Sequence, residues 1–194
     1  MKLEDIIKGT YSYKNGKLYV DGNVDLGRLE LKEIPYDFHY VSGWFDCEHN
    51  QLTSLAGCPK KIGRSFDCDD NQLTSLAGCP KEIGGYFNCR NNQLTSLEGC
   101  PKIIGEWFDC NNNQLVSLAG CPKEIGGSFD CNNNQLVSLA GCPKKIDGWF
   151  DCRNNPYLVS LDEINDDIRN KLVLDYEQLE RINEREKIKY LLNI

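Results

Sequence analysis

The chain is short of the residues that do acid–base and nucleophilic chemistry. Its 194 residues include two histidines, His39 and His49. A reactive thiol or hydroxyl needs a base close by, and two histidines offer few such pairings. His49 stands two residues after Cys47, but strand alternation turns that cysteine inward while the following turn carries the histidine elsewhere. There is no Gly-rich phosphate loop and no nucleophile elbow. Eleven cysteines are present, yet none forms a Cys-x-x-Cys pair. Basic residues are also in deficit. Lys and Arg number 22 against 29 Asp and Glu, a formal net charge of −7, whereas a sequence-independent nucleic-acid binder needs a basic face. Long apolar runs are missing. Met1 to Lys8 does not read as a signal peptide, and nothing later is long enough to span a bilayer. These absences lead us to expect no catalytic residue, no metal ligand and no cofactor, with no direct contact to nucleic acid or membrane. They also lead us to expect a cytoplasmic protein, whose cysteines stay reduced. The odd cysteine count agrees, since a disulfide framework pairs its members.

What the sequence does have is a 21-residue repeat. Phe66-Asp-Cys-Asp-Asp-Asn-Gln-Leu-Thr-Ser-Leu76 and Phe129-Asp-Cys-Asn-Asn-Asn-Gln-Leu-Val-Ser-Leu139 are copies three periods apart. Cysteine recurs at 47, 68, 89, 110, 131 and 152, and a second series runs through 58, 79, 100, 121 and 142. A fixed period of this length signals a solenoid, in which each repeat contacts only its neighbours. Phe-x-Cys alternates, as in a short strand with both side chains on one side. Stacking then places Phe45, Phe66, Phe87, Phe108, Phe129 and Phe150 in one inward column. Two leucine columns begin at Leu52 and Leu55, and an isoleucine column begins at Ile62. The cysteines stack as lines that do not converge on a point, so they read as small apolar core residues. Asn50, Asn71, Asn92, Asn113, Asn134 and Asn155 occupy the turn after the strand, where a buried amide can satisfy backbone groups left unpaired by the bend.

The unit Phe-x-Cys-x-x-Asn-x-Leu-x-x-Leu resembles the leucine-rich repeat pattern, with Phe and Cys in its first two apolar slots. The short period, and the proline after the second cysteine, resemble the bacterial and phage-encoded subclass. The resemblance implies a right-handed coil with one parallel β-sheet of about seven short strands and little helix. Residues 24–161 form this solenoid, Val24-Asp-Leu26 supplying a degenerate first strand. Residues 1–23 form an N-terminal cap, with a short helix over 2–8 and a hairpin turning at Asn15-Gly16. Residues 162–194 form a helical C-terminal cap, or a dimer contact. There Leu172, Tyr176, Leu179 and Ile182 recur at helical spacing, with Leu191 and Leu192 beyond them. Relatives in this class that carry a ubiquitin-ligase domain imply no such domain here, because the tail is too short and has no cysteine.

Three columns are left free by the stacking. The residue between Phe and Cys, expected to face outward on the concave sheet, reads Asp46, Asp67, Asn88, Asp109, Asp130 and Asp151. The residue before Phe reads Trp44, Ser65, Tyr86, Trp107, Ser128 and Trp149. The residue after Cys reads Glu48, Asp69, Arg90, Asn111, Asn132 and Arg153. Two carboxylates ~5 Å apart repel by roughly 0.8 kcal/mol in water and ~3 at an effective dielectric of 20, and the core does not require aspartate there, since serine or threonine would suit an exposed strand. Exposed aromatics beside charges are typical of protein-binding hot spots.

The expected function is therefore a non-enzymatic protein–protein interaction module. Its candidate binding residues are Trp44, Asp46, Asp67, Tyr86, Arg90, Trp107, Asp109, Asp130, Trp149 and Asp151. The partner would be a protein with a Lys- or Arg-bearing surface, suited to charge and cation–π pairing. The alternative is an acidic decoy that imitates nucleic-acid phosphates and blocks a host nucleic-acid-binding or defence protein, acting in the host cytoplasm if the chain is phage-encoded. A small-molecule binder ranks third, because an open sheet offers little enclosure. Lys60, Lys81, Lys102, Lys123 and Lys144 form a separate basic stripe, read as a solvated edge.

Overall fold

The computed structural model describes residues 1–162 and 164–192, with side chains through residue 185. One helical turn, α1 (Leu3–Ile6), opens the chain, shorter than the helix expected over 2–8. The antiparallel hairpin of β1 (Ile7–Lys14) and β2 (Lys17–Asp25) follows, turning at Asn15 and Gly16, both at positive φ. After β3 (Phe38–Val41), strands of two residues alternate. They are β4 (Phe45–Asp46), β5 (Lys61–Ile62), β6 (Phe66–Asp67), β7 (Glu82–Ile83), β8 (Phe87–Asn88) and β9 (Ile103–Ile104). The series continues with β10 (Phe108–Asp109), β11 (Glu124–Ile125), β12 (Phe129–Asp130), β13 (Lys145–Ile146) and β14 (Phe150–Asp151). The tail contains α2 (Asp166–Lys171), β15 (Leu172–Val173) and α3 (Tyr176–Leu192).

Two parallel ladders run along this solenoid. The first joins the end of β2 to β4, β6, β8, β10, β12 and β14, in a register that pairs Phe with Phe: Phe45 with Phe66, Phe66 with Phe87, and onward. The second joins the beginning of β2 to β3, β5, β7, β9, β11 and β13. The seven Phe-type strands are those expected, with Val24 opposite Phe45 as the degenerate first one. The isoleucines, expected only as an inward column, form the second ladder. A two-residue strand is too short to show the alternation by which strands are read from sequence.

Between the ladders lies a column of apolar side chains. From Phe66 to Phe150 successive rings stack at 5.0–5.4 Å with interplanar angles of 5–10°. Both leucine columns and the cysteines of the Phe strands are fully buried. A backbone turn closes each coil at close quarters. Gly99, for example, has φ +91°, and a Cβ there would meet the Leu76 carbonyl oxygen at 2.8 Å, so only glycine fits without displacement.

The asparagine ladder stitches one coil to the next. Asn113 Nδ2 donates to the carbonyls of Cys110 and Asn111 in its own turn, at 3.1 and 3.2 Å, and to Cys89 in the preceding coil at 3.1 Å. Its Oδ1 accepts from Leu94 N, also in the preceding coil, at 2.9 Å. Asn71, Asn92, Asn134 and Asn155 repeat this set.

The C-terminal end is covered in a way that helical spacing did not anticipate. Leu172 lies in strand β15, which extends the first ladder by pairing with β14. Gln178 is buried, and its Nε2 donates to the carbonyls of Cys152 and Asn155 at 2.8 and 3.3 Å. Asp175 and Gln178 exchange backbone and side-chain bonds in the manner of a capping box. Ile168 and Ile182 are buried, whereas Tyr176 and Leu179 are exposed. Of the expected stripe, Ile182 and the strand residue Leu172 cover the solenoid, while Tyr176 and Leu179 face away from it. The side chains of Leu191 and Leu192 lie outside the described residues.

Replacing Asn113 with Ala removes the partner of the buried Leu94 N–H and one of the two donors at each of the carbonyls of Cys89, Cys110 and Asn111. Urea unfolding should show a loss of about 2–4 kcal/mol, against less than about 0.5 for Gln114→Ala on the exposed side of the same turn. Equal losses at the two positions would contradict the stitching role.

Candidate binding face

The aromatic column stands where strand register puts it, but it is interrupted. Tyr86 and Trp107 stack on one another, ring centroids 5.0 Å apart at 25°. Ser65 and Ser128 leave a gap on either side of that pair. Their hydroxyl oxygens accept from the following aromatic residue in the column, Tyr86 N and Trp149 N, at 3.3 Å each. Trp107 is 40% and Trp149 49% exposed, while Trp44 and Tyr86 are half-buried. Lys8 Nζ sits 5.3 Å from the Trp44 ring centroid. The chain's three tryptophans therefore differ: one is already served by a basic side chain, and two face solvent.

The aspartate column departs from the sequence expectation. Asn88, Asp109 and Asp151 are buried, and Asp46, Asp67 and Asp130 are half-buried. Each Oδ1 accepts the backbone N–H two residues on, as in Asp46 from Glu48 N at 2.9 Å and Asp109 from Asn111 N at 3.0 Å. The same bond recurs at Asp67, Asn88, Asp130 and Asp151. It ends the strand and starts the turn. Serine or threonine would make it more weakly, so the column is not the plain exposed strand that they were expected to suit. The signal was present in the sequence, since the one departure from aspartate is asparagine, which keeps the acceptor. Asn88 also donates Nδ2–H to Asp67 Oδ2 at 3.1 Å and interrupts the row of charges.

Burial and crowding push several of these carboxyls above the usual carboxylate range. Burial is the largest influence, opposed by the turn hydrogen bond and reinforced by neighbouring carboxylates; it raises Asp46 to about 6, Asp67 to about 7 and Asp109 to about 6. Asp130 moves upward for the same first reason.

The third column is largely neutralised. Asp69 is buried and its Oδ2 accepts from Arg90 Nε at 2.9 Å. Arg153 grips Asp151 with Nε and Nη2, and Arg28 holds Glu48 Oε1 at 2.9 Å. Arg90 thus lies on the expected face as an ion-pair partner. His49 is exposed in the turn, in the left-handed conformation, with Nδ1 3.4 Å from Asp70 Oδ2. Among the described residues, Glu48, His49 and Asp69 bring ligand atoms within 4.8 Å of one another, and Asp69 Oδ1 is buried without a hydrogen-bond partner. These are the residues that could hold a metal ion. Metal–ligand distances near 2.0–2.2 Å would require all three to draw together, and both carboxylates already have a guanidinium partner.

Two cavities open on the face. One of 530 Å³ lies between Trp107 and Trp149, over Gly127 and Ser128, with Glu106, Asp109 and Asp130 at its walls. The other, of 280 Å³, lies between Trp44 and Tyr86 with Arg64 beside it. Elsewhere, the lysines that follow each Cys-Pro are exposed, as expected for a solvated edge. The cysteines are free thiols, and burial pushes those of Cys47, Cys68, Cys89 and Cys110 well above the usual range. The chain matches no protein-family model, no curated protein and no solved structure.

The raised aspartates set the sign of the stability profile. Folded carboxyls that hold protons more tightly than the unfolded chain stabilise the fold fully below about pH 4, and that contribution is lost as pH rises through about 6–7. Unfolding free energy should therefore be higher at pH 5 than at pH 7.5, by about 1–3 kcal/mol, with Asp67→Asn flattening the profile most. A flat or rising profile would contradict the assignment. Separately, a thiol reagent should modify slowly, in the native state, only the partly exposed Cys100, Cys121 and Cys142, and all eleven cysteines after denaturation.

Proposed function

We propose that this chain is a protein-interaction module that binds its partner across the face carrying Trp107, Asp109, Asp130 and Trp149. The observation that carries this reading is the pair of tryptophans exposed by nearly half, beside carboxylates, on the ladder of strands whose phenylalanines are all fully buried. Apolar surface of that kind costs solubility unless a partner covers it. Aromatic anchors at the centre of a patch with charges around them are the usual composition of binding hot spots. The solenoid holds them on hydrogen-bonded strands, so little order has to be gained on binding. The likeness of the repeat pattern to short leucine-rich repeats supports the same role.

The decoy reading has less support. A phosphate mimic needs a row of full charges, and here Asn88 interrupts the row, arginines pair with Asp69 and Asp151, and burial favours protonation of Asp46, Asp67 and Asp109. A catalytic reading has less support, because the thiols of the Phe-strand cysteines are fully buried and burial holds Cys47, Cys68, Cys89 and Cys110 in the protonated form.

The test is photo-crosslinking in cell extract of the source. A crosslinking residue at Ser128 should trap a defined partner, one at Lys123 on the lysine edge should not, and Trp107→Ala with Trp149→Ala should reduce the Ser128 product at least about tenfold. Equal trapping from both positions would defeat the proposal.

A further inference from the structure

The two gaps in the aromatic column are copies of one another, three repeats apart, and they differ in one respect that points to a ligand. In the first, Trp44 and Tyr86 flank Ser65, and the chain supplies its own cations. Arg64 lines the cavity, and Lys8 Nζ lies over Trp44. In the second, Trp107 and Trp149 flank Ser128. The position equivalent to Arg64 is Gly127, and the added wall residue is an acid, Glu106. The second cavity is larger, 530 against 280 Å³, and no basic residue lines it. The three carboxyls of Glu106, Asp109 and Asp130 therefore face a site with aromatic walls and no cation of its own.

Spacing fits the same ligand. Adjacent strands are ~4.8 Å apart, so residues two strands apart are separated by ~9.6 Å. A flat group needs about 3.5–4 Å to each neighbouring ring, roughly 7–8 Å in all. Tyr86 and Trp107, one strand apart, stack directly and admit nothing between them. The gap over Ser128 admits one planar group. A guanidinium is planar, stacks on aromatic faces, and donates in its own plane to carboxylates.

We infer that the cavity between Trp107 and Trp149 receives one arginine side chain of the partner protein, a cation of the kind that Lys8 and Arg64 already bring to the first gap. The inference rests on the reading of this face as a partner-binding surface.

Three tryptophans give three indole N–H signals in a ¹⁵N-labelled sample, so a titration reports each wall separately. The probe is the blocked tripeptide Gly-Arg-Gly. The Trp107 and Trp149 signals should move saturably while Trp44 stays in place. The citrulline counterpart, isosteric and uncharged, should bind at least about tenfold more weakly. Ser128→Tyr, which fills the gap as Tyr86 fills the place beside Trp107, should abolish the response with an unchanged circular dichroism spectrum. Glu106→Gln should weaken it about threefold. Equal binding of the citrulline or lysine peptide, an undiminished response in Ser128→Tyr, or no movement at millimolar probe would each overturn the arginine assignment. The two readings fail separately. Crosslinking at Ser128 that persists while the peptides fail leaves a partner face without an arginine receptor. A peptide response without a crosslinked partner leaves a guanidinium site and removes the wider interaction surface.

Discussion

Every coil of this solenoid turns sharply out of its strand, and the turn leaves carbonyl groups pointing into a space that water does not reach. The buried asparagine is the answer to that constraint. One side chain satisfies three carbonyls and one N–H, and two of those four bonds belong to the preceding coil. Buried polar groups are costly unless paired, so the position admits few other residues and the coils must follow one another in register. The stacked phenylalanines and the two strand ladders depend on that register, since a slip of one position would turn each apolar side chain outward.

The same economy governs the exposed side. The aspartates between Phe and Cys end their strands by accepting a backbone N–H, and they also line the candidate binding face. One carboxylate oxygen serves the turn and the other is free to face a neighbour, as Asp67 Oδ2 does toward Asn88. The fold thus pays for its turns with a row of acids, and burial followed by mutual repulsion raises the pKa values of Asp46, Asp67, Asp109 and Asp130. Asn88, Arg90 and Arg153 relieve part of that strain. What survives as unbalanced negative character lies between Trp107 and Trp149, in a cavity that no basic side chain lines.

Much of this architecture was legible in the sequence. The period, the inward Phe, Leu and Cys columns, the asparagine turn and the Asn15-Gly16 hairpin each rest on local spacing or local turn chemistry, which a repeat makes visible several times over. The second strand ladder was not legible, because Ile83 and Ile104 sit in strands of two residues whose hydrogen bonds all run to other coils. The end of the solenoid was misread in part. Leu172 and Gln178 are selected by the open edge of β14 and by the carbonyls of Cys152 and Asn155, and no helical period records those distant groups.

The candidate face divides along the same line. By itself the sequence determined which columns stacking leaves free, and that all three tryptophans fall in one of them, because both facts follow from a 21-residue translation. Only the tertiary structure decided which of those residues are free to act. It buried Asp109 and Asp151, committed each Oδ1 to a turn, paired Arg90 with Asp69, and set Lys8 over Trp44. It also separated Trp107 from Trp149 by a gap of two strands floored by Ser128. Exposure, pairing and the width of a gap are properties of neighbours brought together across coils and from the N-terminal hairpin, and the period of a sequence does not contain them.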